Sequence, residues 1–280
     1  MNKKNRHPAI PKIYSFLSAF VLILCSFSLQ AAPKAEYWAF WDKSNPASQN
    51  KINHSAWNSF LEQYVSENHN LNMFVLDYRS VSSADKQQLK SYLNTLQSID
   101  PRNYSKNEQF AYWVNLYNAL TVNLVLENYP VDTIKSIGSW FGLGPWDNEI
   151  ASVAGQKLTL NDIEHRILRP IWKDSRIHYA VNCASIGCPD LFPQAWNGAN
   201  VEDMLNAAAK RYIAQNKGVE FAGNELKLSS IYNWYGVDFG NRQQLLNHLA
   251  SFSTPEQAKK LKGFNGDISY RYDWNLNQKP

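Results

Sequence analysis

Cysteine, methionine and histidine are scarce in this chain, at 3, 3 and 6 of 280 residues. One cysteine, Cys25, lies near the N-terminus, leaving Cys183 and Cys188 for the rest, so a disulfide-stapled scaffold is excluded. No GxGxxG, Walker loop or HExxH is present, so no cofactor and no metal is implied by motif. Internal repeats, low-complexity tracts and Pro/Gly-rich linkers are also missing, which makes one domain the default. Beyond the N-terminal region no apolar run approaches the roughly 20 residues of a membrane helix, so no membrane insertion is expected there.

What is present begins with a leader. Lys3, Lys4, Arg6 and Lys12 form a basic region, Ile13 to Leu24 an apolar one, and Leu29-Gln30-Ala31 a small-residue cleavage pattern. This is the form of a secretory signal peptide, with residues 1–31 removed and 32–280 left as a single domain that is periplasmic or secreted. Cys25 follows a bulky Leu24, which argues against a lipid anchor. The leader holds four of the 28 Lys+Arg and none of the 24 Asp+Glu, so the remaining chain balances at zero. The basic character belongs to export, and nucleic acid is not an expected partner.

Hydrophobic periodicity then marks the elements. Asn53 to Glu67 spaces Trp57, Phe60, Leu61 and Tyr64 along one helical face, and Asn72 to Tyr78 reads as a short strand. A helix capped by Ser82 or Ser83 runs to about Ile99. The longest helical run, Lys106 to Asn128, is apolar nearly all round and should be the central buried helix. On it Asn115 and Asn118 share one face; buried amides cost roughly 1–3 kcal/mol unless hydrogen-bonded, so each needs a partner. They either tie the helix to neighbouring backbone or serve a site. Gly138 to Pro145 is an aromatic loop able to wall a cleft or simply pack.

Thr159 to Glu164 opens a further helix that carries Glu164 and His165 and ends at Pro170. Arg176 to Val181 reads as a strand and Asn182 to Pro189 as the turn leading from it. Val201 to Gln215 is amphipathic, and Val219 to Leu228 is a hairpin tipped by Gly223-Asn224. Short helices follow to Leu261, and Asp267 to Trp274 closes the chain as a strand. The fold class is α+β, helix-rich, with a central buried helix on a small antiparallel sheet.

The chemistry concentrates in RIHYAVNCASIGCP, Arg176 to Pro189, where His178 stands beside Cys183 and Cys188. A thiolate nucleophile, a Cys183–Cys188 disulfide and a zinc site exclude one another there. A cysteine becomes a nucleophile when an imidazole or another positive group stabilises its anion. On a strand, residues five apart face opposite sides, so a His178–Cys183 contact needs a bend, and His165 stays open as the alternative base. His248 reads as a surface histidine, and His54 as a helix-start residue.

Five blocks occur in order: FAYWVNLYNALTVNLVLE from Phe110, LTLNDIEHRILRP from Leu158, RIHYAVNCASIGCP from Arg176, IYNWYGVDFG from Ile231 and YRYDWNLN from Tyr270. Together they resemble the domain of unknown function 547 family of exported bacterial and plant proteins, with a core at about 106–240. The resemblance implies a pocket formed by Asn115, Asn118, Glu164, His178 and Cys183. Plant relatives commonly have serine where Cys188 stands, which implies that neither a disulfide nor zinc is obligatory and favours Cys183 as nucleophile. More distantly the family is similar to the papain and transglutaminase superfamily, although there the cysteine usually precedes the histidine.

The expectation is a thiol-dependent hydrolase or acyltransferase acting on an amide or thioester of a peptide or small-molecule substrate. Cys183 would attack, His178 or His165 would take its proton, Glu164 would orient the imidazole, and Asn115 or Asn118 would donate to the oxyanion. The alternative is a non-catalytic binding module with a buried polar cluster.

Overall fold

A computed structural model describes residues 34–138 and 144–280. The expected leader lies outside the described residues, as does most of the Gly138–Pro145 loop. Ala31 to Pro280 groups as one compact unit.

The helix α3, Lys106–Asn128, starts where the Ser105 side chain accepts the Glu108 N–H. Every residue from Glu108 to Val122 is buried, which is why the run shows no polar face. Packed against it are α2, Ser83–Gln97, capped by Ser82, and further on α6, Val201–Ala214. The first helix, α1, Ser55–Tyr64, stops three residues short of the expected end. Val65–Asn68 becomes β1 and pairs antiparallel with β2, Met73–Leu76, in the register Val65↔Leu76. β3, Ala151–Val153, and β4, Gln156–Leu158, form a second hairpin. The third sheet is mixed: β5, Val219–Ala222, pairs antiparallel with β6, Glu225–Ser229, and β6 pairs in parallel with β7, Asp267–Arg271. The described residues are thus α+β, with small sheets around a helical core.

Two departures from the sequence reading matter for function. The helix expected to end at Pro170 begins as a π-helix over Asp162–Leu168 and continues through Pro170 as α4, Arg169–Trp172. Proline removes one N–H from the ladder. The His165 and Arg166 carbonyls bond instead to the Glu36 and Trp38 N–H groups, at 2.9 and 3.2 Å. An extended segment of the chain thus takes up the acceptors that the wide turn and the proline leave over. Second, Arg176–Val181 is not a strand: Ile177–Ala180 is a one-turn helix, α5. The alternation argument that separated His178 from Cys183 therefore falls.

The remaining helices, α7 Ile231–Trp234, α8 Gly236–Phe239, α9 Arg242–Ser251 and α10 Pro255–Lys262, pack around the third sheet. Buried apolar side chains fall into two clusters, one around α3 and one around β5, β6 and α7–α10. α5 lies at their seam, since Ile177 and Ala180 belong to the first and Tyr179 to the second. His178 sits between them, 2% exposed.

Candidate functional site

His178 is the centre of a buried charged cluster. Its Nε2 lies 2.7 Å from Asp238 Oδ2 on α8, and its Nδ1 lies 3.7 Å from Glu164 Oε1 on the π-helix. Tyr235, between α7 and α8, stacks on the imidazole with ring centroids 4.0 Å apart. Arg169 Nε donates to Asp238 Oδ2 at 2.6 Å, and its Nη1 is 3.1 Å from His165 Nδ1. His165 is in turn 3.8 Å from Glu164 Oε1. Glu164, His165, Arg169 and His178 are all buried, and Asp238 is half-buried. A one-turn helix and a π-turn cannot hold such a constellation alone; the two apolar clusters on either side fix them.

The electrostatics follow from this packing. Burial works to raise the Glu164 carboxyl, but the charges of His165, His178 and Arg169 outweigh it and bring it to about 2. Asp238 is brought to about 2 in the same way, burial being opposed by its bonds to His178 and Arg169. His165 is lowered, first by burial and then by Arg169 and His178, against the pull of Glu164. Tyr117 and Tyr235 are raised, chiefly by burial and then by the Glu164 charge. The cluster therefore holds two ionised carboxylates, Glu164 and the half-buried Asp238, beside the Arg169 guanidinium and the hydrogen bond between His178 and Asp238.

The sequence-derived residues are only partly brought together. Glu164, His165 and His178 meet as described, but the carboxylate in hydrogen-bond contact with His178 is Asp238, not Glu164. Asn115 Nδ2 donates to the Trp196 carbonyl at 2.8 Å, and its Oδ1 accepts the Trp196 N–H at 3.1 Å. Asn118 Nδ2 donates to the Ala180 carbonyl at 3.0 Å, and its Oδ1 accepts the Asn182 N–H at 2.8 Å. Both amides thus tie α3 to backbone, and Asn118 grips the chain on both sides of Val181, just before Cys183.

Cys183 and Cys188 are joined in a disulfide with Cα atoms 6.1 Å apart. In this state neither sulfur is a thiol or a free metal ligand. Among the described residues no group of three or more His, Cys, Asp or Glu is arranged to hold a metal ion. Cys183 is half-buried and Cys188 is 2% exposed. The Tyr272 hydroxyl is 3.1 Å from each sulfur, and the Ser185 hydroxyl is 3.7 Å from Cys183 Sγ. Tyr272 is raised well above its ordinary value, by burial first and then by Tyr212, Tyr235 and Glu164.

A cleft of about 720 Å³ opens at Arg169, Lys173, Asp174, Val237 and Asp238. Asp238 and Arg169 thus belong to both the buried cluster and the cleft wall. Of two further histidines, one behaves differently from expectation. His248 is half-buried rather than a plain surface residue: its Nε2 is 2.9 Å from the Tyr179 hydroxyl, and burial, the largest cause, lowers it to about 4. His54 does precede α1 but is buried, with Nδ1 2.7 Å from the Tyr92 hydroxyl, and is likewise lowered to about 4 by burial.

Asp238, Tyr235, Arg169 and Tyr272 were missed as site residues, although the blocks quoted for the family resemblance contain all four. Arg169 stands four residues after His165 and was within reach of local spacing, but Asp238, Tyr235 and Tyr272 lie far along the chain from His178 and Cys183 and only the tertiary fold makes them neighbours.

Residues 101–213 match the family described as "Protein of unknown function, DUF547". Neither the curated proteins nor the solved structures give a match. Among the described residues no helix is long and apolar enough to cross a membrane.

Proposed function

We propose that the protein is an exported thiol-dependent hydrolase or acyltransferase acting on an amide or thioester, and that it works in its reduced form. The observation that carries this reading is a buried histidine whose two nitrogens face carboxylates, on the one-turn helix that leads into the loop of the half-buried Cys183. Cys183 follows α5 directly, on the loop gripped by Asn118, so nucleophile and imidazole come from one short stretch.

In this reading Nε2–H of His178 donates to Asp238, which fixes the tautomer and leaves Nδ1 to take the thiol proton. Among the described residues Nδ1 has no hydrogen-bond partner within the protein, although it is buried. A buried polar atom without a partner costs free energy, and a proton in flight from a substrate or nucleophile would give it one. Once reduced, Cys183 attacks the carbonyl carbon, the imidazole takes the proton and later gives it to the leaving amine or thiol, and water or an acceptor nucleophile releases the acyl group. Glu164 supports the protonated imidazole through space. The Tyr272 hydroxyl, already against the sulfur, stabilises the thiolate. A likeness to the papain and transglutaminase superfamily belongs to this proposal, with Asp238 as the orienting acid.

A second reading has its own observation. The cleft at Arg169 and Asp238 combines cationic and anionic walls with the exposed Val237, a combination suited to holding a zwitterionic or peptide ligand without chemistry.

The two separate by labelling. Cys188→Ser cannot form the disulfide, and its Cys183 should react with an acyl-type thiol probe without added reductant. Wild type should need reductant, and Cys183→Ser should never label. His178→Ala in the Cys188→Ser background should slow labelling by a factor of about 100 or more, the usual size of a general-base contribution. A folded Cys188→Ser protein whose Cys183 ignores the probe would overturn the enzyme reading.

A further inference from the structure

We propose that Cys183 and Cys188 form an exchange-active pair with a second activity, thiol–disulfide exchange with a small thiol. Cys183 is the sulfur attacked and Cys188 the sulfur that leaves and later resolves. The inference shares Cys183 with the reading above but does not require acyl transfer.

Access decides the direction of attack. Cys183 is half-buried whereas Cys188 is 2% exposed, so Cys183 is the residue an incoming thiolate can reach. The new S–S bond forms there, the Cys183–Cys188 bond breaks, and its electron pair departs on Cys188 Sγ. That sulfur already sits in a donor cradle: the Cys183 N–H is 2.9 Å away and the Tyr272 hydroxyl 3.1 Å away. Both are donors able to stabilise a thiolate, and a buried leaving group needs such donors because no water reaches it. The same Tyr272 hydroxyl lies 3.1 Å from Cys183 Sγ, so it can follow the charge from one sulfur to the other. A second thiolate attacks the external sulfur of the mixed disulfide, releasing Cys183 thiolate and a small disulfide; two thiols thus supply the two electrons. The hydroxyl proton stays on Tyr272 throughout, and the two protons that the small thiols give up on forming thiolates end on the two cysteine sulfurs.

Exchange is reversible only if the loop keeps its shape without the covalent link, and this loop is held by other means. Asn182 accepts the Ala184 N–H at 2.8 Å and donates to the Pro189 carbonyl at 2.7 Å, closing the turn around both cysteines. The Ile186 and Gly187 N–H groups bond to the Asn275 and Asp273 carbonyls, both at 2.8 Å, and the Asn277 N–H bonds to the Ala184 carbonyl at 2.8 Å. The Tyr212 hydroxyl donates to the Gly187 carbonyl at 2.7 Å. Gly187 is required by this docking, since a Cβ there would meet the Asp273 backbone at 2.9 Å. After reduction these bonds keep the two thiols facing each other.

The test uses the oxidised full chain, with a monothiol such as 2-mercaptoethanol as the probe. Alkylation and peptide mass spectrometry follow the sulfurs, and circular dichroism follows the fold. The native protein should lose its disulfide with the fold retained, passing through a mixed disulfide on Cys183. Cys188→Ser, treated with the disulfide of the same thiol, should stop at a stable Cys183 adduct, whereas Cys183→Ser should leave Cys188 unmodified. Tyr272→Phe should slow reduction by about tenfold or more, the loss of one hydrogen bond to a developing charge. Reduction only under denaturant, adducts on Cys188, or equal rates in Tyr272→Phe and wild type would each overturn the proposal. A Cys188→Ser protein inert to acyl probes but forming the Cys183 adduct would sink the hydrolase reading and leave this one standing.

Discussion

Replacing Asn118 by leucine separates a structural amide from an oxyanion donor. The side chain is 2% exposed and satisfies two buried backbone groups, the Ala180 carbonyl and the Asn182 N–H. Leucine keeps nearly the same volume but leaves both groups without a partner, at roughly 1–3 kcal/mol each. After some gain from burying the apolar side chain, the expected loss is about 3 kcal/mol. Urea unfolding without reductant should show a lower midpoint with an unchanged slope. Asn115→Leu is the control, because it strands the Trp196 N–H and carbonyl in the same way without touching the cysteine loop. It should destabilise comparably, but only Asn118→Leu should speed monothiol reduction of the disulfide, through the freed Asn182 backbone. The reasoning fails if Asn118→Leu loses less than about 1 kcal/mol, or if thiol chemistry falls by a factor of about 100 or more with stability intact, as removal of an oxyanion donor would produce.

Further expectations follow from the charged groups. His54 is lowered to about 4, below its unfolded value of about 6.5, so the unfolded chain takes up a proton first as pH falls; its contribution is intact above about 6.5 and shrinks down to about 4. Between pH 7 and pH 5 this should cost about 2 kcal/mol, and His54→Gln should flatten that part of the stability profile measured by urea unfolding. Glu164 and Asp238 have folded values near 2, below ordinary carboxyls at about 4, so their stabilisation is complete above about 4 and disappears as pH falls towards 2. Asp238→Asn should weaken the acid transition between those values, followed by circular dichroism. Asp190 accepts bonds from Arg211 Nε at 2.6 Å, Lys217 Nζ at 2.7 Å, Gln215 Nε2 at 2.8 Å and the Phe74 N–H at 3.0 Å. Asp190→Ala should lower stability by about 3 kcal/mol, because two cations lose their buried partner; a calorimetric midpoint equal to wild type would refute it.

Elements with strong local signals were legible in the sequence, and those made by tertiary contact were not. The long apolar run placed α3, Ser82 placed the start of α2, and Gly223-Asn224 placed the β5–β6 turn, because continuous apolar runs, capping and positive-φ turns are local chemistry. β1 escaped notice because Val65 continues the helical spacing of Phe60, Leu61 and Tyr64, and only pairing with Leu76 turns the chain to a strand. α5 escaped for a related reason: four residues carry no usable period, and its alternating Ile177, Tyr179 and Val181 fit a strand equally well. At the site the histidines, Glu164 and the cysteines were legible as residue types. Their partners Asp238, Tyr235 and Tyr272 were not, because tyrosines are common in this chain and ordinarily pack in cores.

The same short elements that hid the site from the sequence explain how it can work. α5 and α8 are four residues each, too short to be stable alone, and the π-helix adds a turn with poorer backbone geometry. Their positions are therefore borrowed from the two apolar clusters. A carboxylate pair, two histidines and an arginine can then be desolvated together, because folding of the large clusters offsets what the charges cost on burial. The cysteine loop is fixed by a different set of bonds, running to α3, α6 and the C-terminal segment after β7. Breaking the disulfide leaves that second set in place. The sulfurs can thus change oxidation state without disturbing the charged cluster, and the cluster can move a proton without distorting the loop.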